Sequence, residues 1–207
     1  MHRNNAPQFA SSPSEELFQP SESNAQRVAI PGAYDRPTLL SILFRETDRV
    51  QRMKTALCLI LFGIDICETS DSPSELWDCD EVLSQVARRT TRLLRSYDLL
   101  GQLENNAFLL VLPGCDNFNA TMLAERLRVD VFSEPFQLLG QHIQLSACFG
   151  IASSNGRSPV VVLREAEKAL CAAKGRGVGS IHCFGECLEA PADSTAFFNT
   201  DDKSHAR

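Results

Sequence analysis

The chain has 207 residues and a mass of 22.9 kDa, with 43% hydrophobic and 22% charged residues. This length and composition predict one globular domain with short appendages, and they exclude a repeat array and a wholly disordered chain. The formal net charge of -6 at pH 7 argues against a general polyanion-binding surface, so duplex nucleic acid is not an expected partner. The sequence also lacks the run of about 18 apolar residues that a membrane-spanning helix needs.

Both ends of the sequence are polar. Residues 1–33 are rich in Ser, Pro, Asn, Gln and Glu, and such a segment cannot bury enough apolar surface to offset its chain entropy. We therefore expect a disordered arm at 1–33, a flexible tail at 189–207 and a folded domain at 34–188. The first residues lack the apolar core of a secretory signal peptide, so we expect a cytoplasmic, reduced protein despite the eight cysteines.

Hydrophobic periodicity predicts elements in the order αβαββαββαβ. The helices are expected at 38–54, 81–96, 118–131 and 160–174. The strands are expected at 56–64, 99–103, 108–112, 136–139, 143–151 and 180–184. Residues 56–64 form a continuous apolar run, which indicates a central strand covered on both faces. This order predicts an α+β fold, in which helices pack on a mainly antiparallel sheet.

Several short segments, in this order and spacing, carry a resemblance to a known family. The sequence resembles the catalytic domain of the diguanylate cyclases, the GGDEF family, which joins two GTP molecules into cyclic di-GMP. The resemblance covers residues 36–185 and implies a palm-like sheet shared with nucleotide cyclases. The segments are LILFGID at 59–65, DEVLSQVARR at 80–89, RSYD at 95–98, FLLVLPG at 108–114, AERLR at 124–128, FGIA at 149–152 and AEKALCAAKGRG at 166–177.

The catalytic positions of the family are degenerate in this chain. Nucleotide joining needs Mg²⁺, a hard cation that prefers carboxylate oxygens. The residue at the position of the family's first-strand aspartate is Gly63, and the GGDEF run is replaced by Glu104, Asn105, Asn106, Ala107 and Phe108. The metal ligand, the two phosphate-approach glycines and the acidic residues of the hairpin are therefore lost. We expect no magnesium site, no cofactor and no cyclase activity.

The positions that bind GTP in the family are partly kept. Asp80 matches the guanine-binding Asp, and Lys174 matches a phosphate-contacting Lys. The guanine-binding Asn is replaced by Asp71, and an expected Arg is replaced by Val178. These residues are interpreted as a vestigial GTP site. Asp65 keeps the second Asp of the first-strand motif, and it is interpreted as a strand-end residue that bonds a loop.

A second family site, the inhibitory RxxD motif, is intact as RSYD, five residues before the hairpin motif. The predicted helix places Arg95 and Asp98 three residues apart on one face. Arg can donate in bidentate fashion to guanine O6 and N7, and a carboxylate can accept from the N1 and N2 edge. The resemblance adds Arg126 to this site. The alternative is an exposed Arg95–Asp98 salt bridge worth roughly 0.2–0.5 kcal/mol.

These observations lead to one main hypothesis and two alternatives. The main hypothesis is a catalytically inactive cyclase domain that acts as a cyclic di-GMP receptor, with another protein or a second copy of itself as partner and no membrane contact. One alternative is a protein-interaction scaffold that binds no nucleotide and uses the arm at 1–33. The other is a weak cyclase, or a GTP-binding domain that uses Asp80 and Lys174. Three further cations, Arg88, Arg89 and Arg92, are interpreted as a solvated helix face, with a place near bound phosphates as the alternative.

Overall fold

The computed structural model of the protein describes residues 30–66, 80–103, 106–138 and 141–185. The helices are α1 (Arg36–Met53), α2 (Asp80–Thr91), α3 (Asn117–Asp130) and α4 (Pro159–Arg176). The strands are β1 (Leu57–Ile66), β2 (Leu99–Gln102), β3 (Ala107–Pro113), β4 (Phe136–Leu138), β5 (Gln141–Ile143), β6 (Leu145–Ser153) and β7 (Ile181–Cys183).

A five-stranded sheet forms the centre of the domain, with the strand order β2-β3-β1-β6-β7. All neighbouring strands are antiparallel except β6 and β7, which are parallel. Strand β1 lies between β3 and β6, as its continuous apolar sequence predicts. The predicted α+β fold with a mainly antiparallel sheet is therefore confirmed.

Alternate residues of β1 face opposite layers of helices, because successive side chains of a strand point to opposite faces. Cys58, Ile60 and Phe62 pack in one core with residues of α2 and α3. Leu57, Leu59 and Leu61 pack in a second core with residues of α1 and α4. The domain thus has three layers, and two of its helices lie on each face of the sheet.

The predicted helix at 81–96 is too long, because α2 ends at Thr91. The hydroxyl of Thr91 donates to the carbonyl oxygen of Arg88 at 3.1 Å. The backbone N–H groups of Leu93 and Leu94 each donate to a carbonyl oxygen three residues back, and not four as in an α-helix. Leu93 and Leu94 pack against the core from a turn, so their hydrophobic spacing imitated one more helical turn. The RSYD motif consequently lies in a turn beyond the helix.

Two other boundaries differ from the predicted ones. The apolar segment predicted as one strand at 143–151 is divided between β5 and β6 at Gln144, whose side-chain amide donates to the carbonyl oxygen of Phe132 at 2.6 Å. Strand β5 pairs with β4 in a separate two-stranded sheet. Near the start of the described chain, Ile30 is only 4% exposed and packs in the core. The folded part therefore includes Ile30 and does not begin at residue 34.

Helix α4 makes an unusually close approach to β6 at Gly150. A Cβ atom at this position would lie 2.2 Å from the backbone nitrogen of Leu170 and 2.4 Å from the carbonyl oxygen of Ala166. These atoms belong to a helix backbone, which cannot move aside as a side chain can. Only glycine permits this helix–sheet distance.

We expect Gly150→Ala to lower the free energy of unfolding by about 3 kcal/mol or more, because the added methyl group must push α4 away from the sheet. Urea denaturation measures this change. Gly175→Ala is the matched control on α4, the helix that Gly150 contacts, since a Cβ at Gly175 meets no atom within 4 Å. The control should leave stability unchanged or raise it by up to about 1 kcal/mol. Equal midpoints for both variants would contradict the packing argument.

Candidate functional site

The residues predicted to occupy the family's catalytic positions meet where β1 and β3 pair. Gly63 lies directly opposite Ala107, and the backbone N–H of Ile64 donates to the carbonyl oxygen of Asn106 at 3.2 Å. Asn106 has a positive φ of 58°, as expected for a hairpin turn that uses asparagine. Glu104 and Asn105 lie outside the described residues. The three described positions thus come together without a carboxylate among them.

Lys174 of α4 extends over this place. A Cβ atom at Gly63 would lie 3.2 Å from Lys174 Nζ and 3.1 Å from its Cε. The same ammonium lies 3.8 Å from Asp65 Oδ1, and both side chains are partly exposed. Asp65 is therefore an ion-pair partner of α4 at the strand end. The ammonium of Lys174 thus lies beside Gly63 and is paired with the Asp65 carboxylate.

Of the remaining predicted GTP-binding positions, the structure describes Asp80 and Val178. Asp80 is the first residue of α2 and is partly exposed. It forms no hydrogen bond or ion pair with Lys174, and both residues are described. Val178 is 72% exposed, and Asp71 lies outside the described residues. Within the described part of the chain, no three His, Cys, Asp or Glu side chains are grouped as metal ligands.

The RSYD segment forms a compact turn that is closed by its own acidic residue. The backbone N–H of Arg95 donates to Asp98 Oδ2 at 2.8 Å, and the backbone N–H of Asp98 donates to the carbonyl oxygen of Arg95 at 3.1 Å. The two residues were expected on one face of a helix, and that geometry is wrong because α2 ends at Thr91. The turn nevertheless brings them together by a different route.

The side chains of Arg95 and Asp98 do not form the salt bridge that was the alternative interpretation. Arg95 Nη1 instead donates to the phenol oxygen of Tyr97 at 3.0 Å, with the guanidinium 5.9 Å from the Tyr97 ring centroid. This hydrogen bond is the main reason that the pKa of Arg95 lies above its ordinary value. Partial burial raises the pKa of Asp98, while the hydrogen bond from the Arg95 backbone opposes the rise.

Arg126 lies on α3 and is exposed. The start of this helix is near the RSYD turn, because Tyr97 lines one cavity together with Pro113 and Gly114, just before α3. Arg126 is about 14 Å further along the helix, at 1.5 Å per residue. It forms no hydrogen bond or ion pair with Arg95 or Asp98, all three being described. The structure therefore joins two of the three predicted residues and leaves the third at a distance.

Arg89 has a structural role that the sequence did not reveal. Its guanidinium donates to the carbonyl oxygens of Val131, Glu134 and Pro135 at 2.8–2.9 Å, and it stacks 4.0 Å from the Phe136 ring centroid. The interpretation of Arg89 as part of a solvated helix face is therefore wrong. The sequence gives no signal for this contact, because the acceptors of Arg89 are backbone carbonyl oxygens, which every residue type has.

The described helices are all too short or too polar to traverse a lipid bilayer.

Comparison with known proteins gives relatives over most of the described fold. The protein y4lL of Sinorhizobium fredii, which is uncharacterized, is 28% identical over 160 residues, or 76% of this chain and 19% of its own length. MucR of Pseudomonas aeruginosa, a bifunctional diguanylate cyclase/cyclic di-GMP phosphodiesterase, is 30% identical over 109 residues, or 52% of this chain and 16% of its own length. The chain thus spans about a fifth or less of these two relatives.

Solved structures give the same fold. The diguanylate cyclase SiaD of Pseudomonas aeruginosa, in complex with its activator SiaC, is 27% identical with a TM-score of 0.66, covering 76% of this chain and 60% of SiaD. The GGDEF domain of DgcB from Caulobacter crescentus, in complex with c-di-GMP, is 20% identical with a TM-score of 0.64, covering 79% and 98%. A family model described as diguanylate cyclase, GGDEF domain, matches residues 32–180. The chain therefore belongs to the GGDEF diguanylate cyclase family.

Proposed function

We propose that this domain is a cyclic di-GMP receptor that lacks cyclase activity. The observation that carries the proposal is the RSYD turn, in which the guanidinium of Arg95 and the carboxylate of Asp98 are adjacent but not paired with each other. A ligand that presents hydrogen-bond acceptors to the guanidinium and donors to the carboxylate can bind without breaking an ion pair. The edge of a guanine base has this arrangement.

The atoms that remain available at the turn fit that edge. Arg95 uses Nη1 for Tyr97, which leaves Nε and Nη2, one of the two bidentate edges of a guanidinium, for guanine O6 and N7. Asp98 uses Oδ2 for the Arg95 backbone, which leaves Oδ1 for the N1–H and N2–H donors. Tyr97 holds the guanidinium in position, so less side-chain entropy is lost when a base binds.

Arg126 supports a dinucleotide over a single nucleotide. It is exposed on the helix that starts near the turn, so a ligand must be extended to contact both. A guanidinium without a protein partner among the described residues is suited to a phosphate or to the second base. The complex of the DgcB GGDEF domain with c-di-GMP, a structure with the same fold, supports this choice of ligand.

The proposed lack of cyclase activity is supported by the absence of negative charge at the predicted catalytic positions. Gly63, Asn106 and Ala107 bring no carboxylate to the place where β1 and β3 pair. The ammonium of Lys174 lies over Gly63. Two-metal nucleotide transfer needs anionic ligands on the cations, and Gly63, Asn106 and Ala107 supply none. The pairing of Lys174 with Asp65 also weakens the alternative that Lys174 holds GTP phosphates.

We expect Arg95→Ala to weaken cyclic di-GMP binding about 10- to 100-fold, because it removes charge-assisted hydrogen bonds worth roughly 1.5–3 kcal/mol. Isothermal titration calorimetry with the full chain measures the affinity. Arg92→Ala is the matched control, since Arg92 is an exposed cation three residues earlier in the same connection. Flat heats for the wild type at saturating ligand would refute the receptor function and favour the nucleotide-independent scaffold.

Asp98→Asn should weaken binding at least tenfold while leaving the fold unchanged, because asparagine can still accept from the Arg95 backbone but opposes guanine with a second donor. Ligand binding needs the ionised carboxylate of Asp98, whose pKa is raised by burial. Wild-type affinity should therefore fall on acidification at a pH above the ordinary titration range of an aspartate. Affinity measured between pH 4 and 7 tests this, and a wild-type profile as flat as that of Asp98→Asn would contradict the assignment.

Purified protein incubated with GTP and either Mg²⁺ or Mn²⁺ should form no cyclic di-GMP above a blank without protein. The physical reason is that Gly63, Asn106 and Ala107 supply no carboxylate to hold the metal ions. Chromatography of the nucleotides measures the product, and a known cyclase under the same conditions serves as the positive control. Metal-dependent turnover by the pure protein would contradict the proposed inactivity.

A further inference from the structure

Helix α3 carries apolar residues on two opposite faces. Ala120, Ala124 and Leu127 are buried against the sheet. Phe118, Met122 and Val129 are 73%, 49% and 50% exposed. At about 100° per residue, the exposed residues fall within about 40° of one another and directly opposite the buried ones. We call Phe118, Met122 and Val129 the outer stripe of α3.

The outer stripe has the spacing of a helix contact. Its positions 118, 122 and 129 follow the four- and seven-residue steps that place side chains in one seam. Apolar residues arranged in this way on an exposed helix face indicate an interaction surface. Arg126 lies at the border of the stripe, also exposed, and it has no hydrogen bond or ion pair with another described residue.

The described chain leaves the domain beside this helix. Gly179, just before β7, lies against Arg128: a Cβ there would be 3.8 Å from Arg128 Cδ. At the end of β7, Cys183 Sγ lies 3.2 Å from Thr121 Oγ1. Strand β7 therefore runs antiparallel to α3, towards its N-terminal end. The last described residue, Gly185, follows two positions later.

The sequence that follows has a composition complementary to the stripe. Residues 186–207 contain Leu188, Phe197 and Phe198 among polar residues. They carry five acidic residues (Glu186, Glu189, Asp193, Asp201, Asp202) against two basic ones (Lys203, Arg207), a net charge of -3. Asp201 follows Phe198 by three residues, so a carboxylate can reach Arg126 when the phenylalanines lie on the stripe.

We propose that residues 186–207 of the same chain cover the outer stripe of α3, with Phe197 and Phe198 on the apolar side chains and the following aspartates at Arg126. The twelve residues from Gly185 to Phe197 have a typical end-to-end distance of about 20 Å, comparable to the length of α3. Residues 185–197 are therefore long enough to span α3. The N-terminal residues enter at the opposite edge of the sheet, where Tyr34 bridges to Gly101, and are less well placed.

The size of the stripe favours a tethered segment over a separate molecule. Three partly exposed side chains present roughly 300 Å² of apolar surface. A stable interface between separate proteins needs about 800 Å² from each partner. A segment of the same chain is already held at an effective concentration in the millimolar range. A small contact is therefore sufficient for it.

One consequence rests on the proposed function. Asp201 and Asp202 compete with cyclic di-GMP for the guanidinium of Arg126. Ligand binding should therefore release residues 186–207. The tail is then the part of the domain that reports occupancy of the ligand site. The covering of the stripe itself does not depend on this consequence.

Chymotrypsin cleaves after phenylalanine, and mass spectrometry of the full chain gives the rate of cleavage at Phe197 and Phe198. We expect Phe118→Ser combined with Met122→Ser to raise this rate about tenfold or more, because the tail loses its contact. Phe44→Ser is the matched control, since Phe44 is 48% exposed on α1, in the layer on the other face of the sheet. This control should leave the rate unchanged.

Cleavage of the wild type as fast as the double variant would overturn the proposal. Protection that disappears on dilution would also overturn it, because a second copy would then be the occupant. Addition of cyclic di-GMP to the wild type should raise the cleavage rate. If calorimetry shows no binding of the dinucleotide, the receptor function fails, whereas slow wild-type cleavage that depends on Phe118 still supports the covered stripe.

Discussion

The close contact between helix α4 and strand β6 at Gly150 determines much of the chemistry of this domain. Because no Cβ intervenes, the backbone of Leu170 lies directly on the sheet. Lys174 is one helical turn further on the same face of α4, so its side chain extends over the neighbouring strand β1. There it meets Gly63, a second position without a side chain, and Asp65. Two glycines on adjacent strands thus place an ammonium over the degenerate catalytic positions.

The two regions that the family resemblance suggested as nucleotide sites differ in how their charged side chains are paired. At the degenerate catalytic positions, the charged groups that remain are paired with each other, as Lys174 is with Asp65. At the RSYD turn, the guanidinium and the carboxylate use backbone and phenol partners, and each keeps bonding capacity for a ligand. Tyr97 contributes to this difference, because its hydroxyl oxygen accepts a hydrogen bond from Arg95 Nη1.

Elements with a strong hydrophobic pattern were predictable, and those that depend on distant contacts were not. The apolar run of β1 indicated a strand buried on both faces, and its place between β3 and β6 confirms it. The predicted end of α2 was wrong because Leu93 and Leu94 pack on the core from a turn. Hydrophobic periodicity cannot distinguish such a turn from a continued helix. The role of Arg89 was missed because its acceptors are carbonyls of the segment around Val131, more than forty residues away.

Sequence alone determined the fold class, the absence of a carboxylate at positions 63, 106 and 107, and the presence of an Arg and an Asp three residues apart. These depend on residue type and local spacing, which a sequence states directly. Tertiary structure alone decided that Lys174 lies over Gly63, that the guanidinium of Arg95 bonds Tyr97 and not Asp98, and that the other described residues leave an apolar face of α3 exposed. Side-chain direction depends on how segments far apart in the chain pack, and one-dimensional patterns carry no information on that packing.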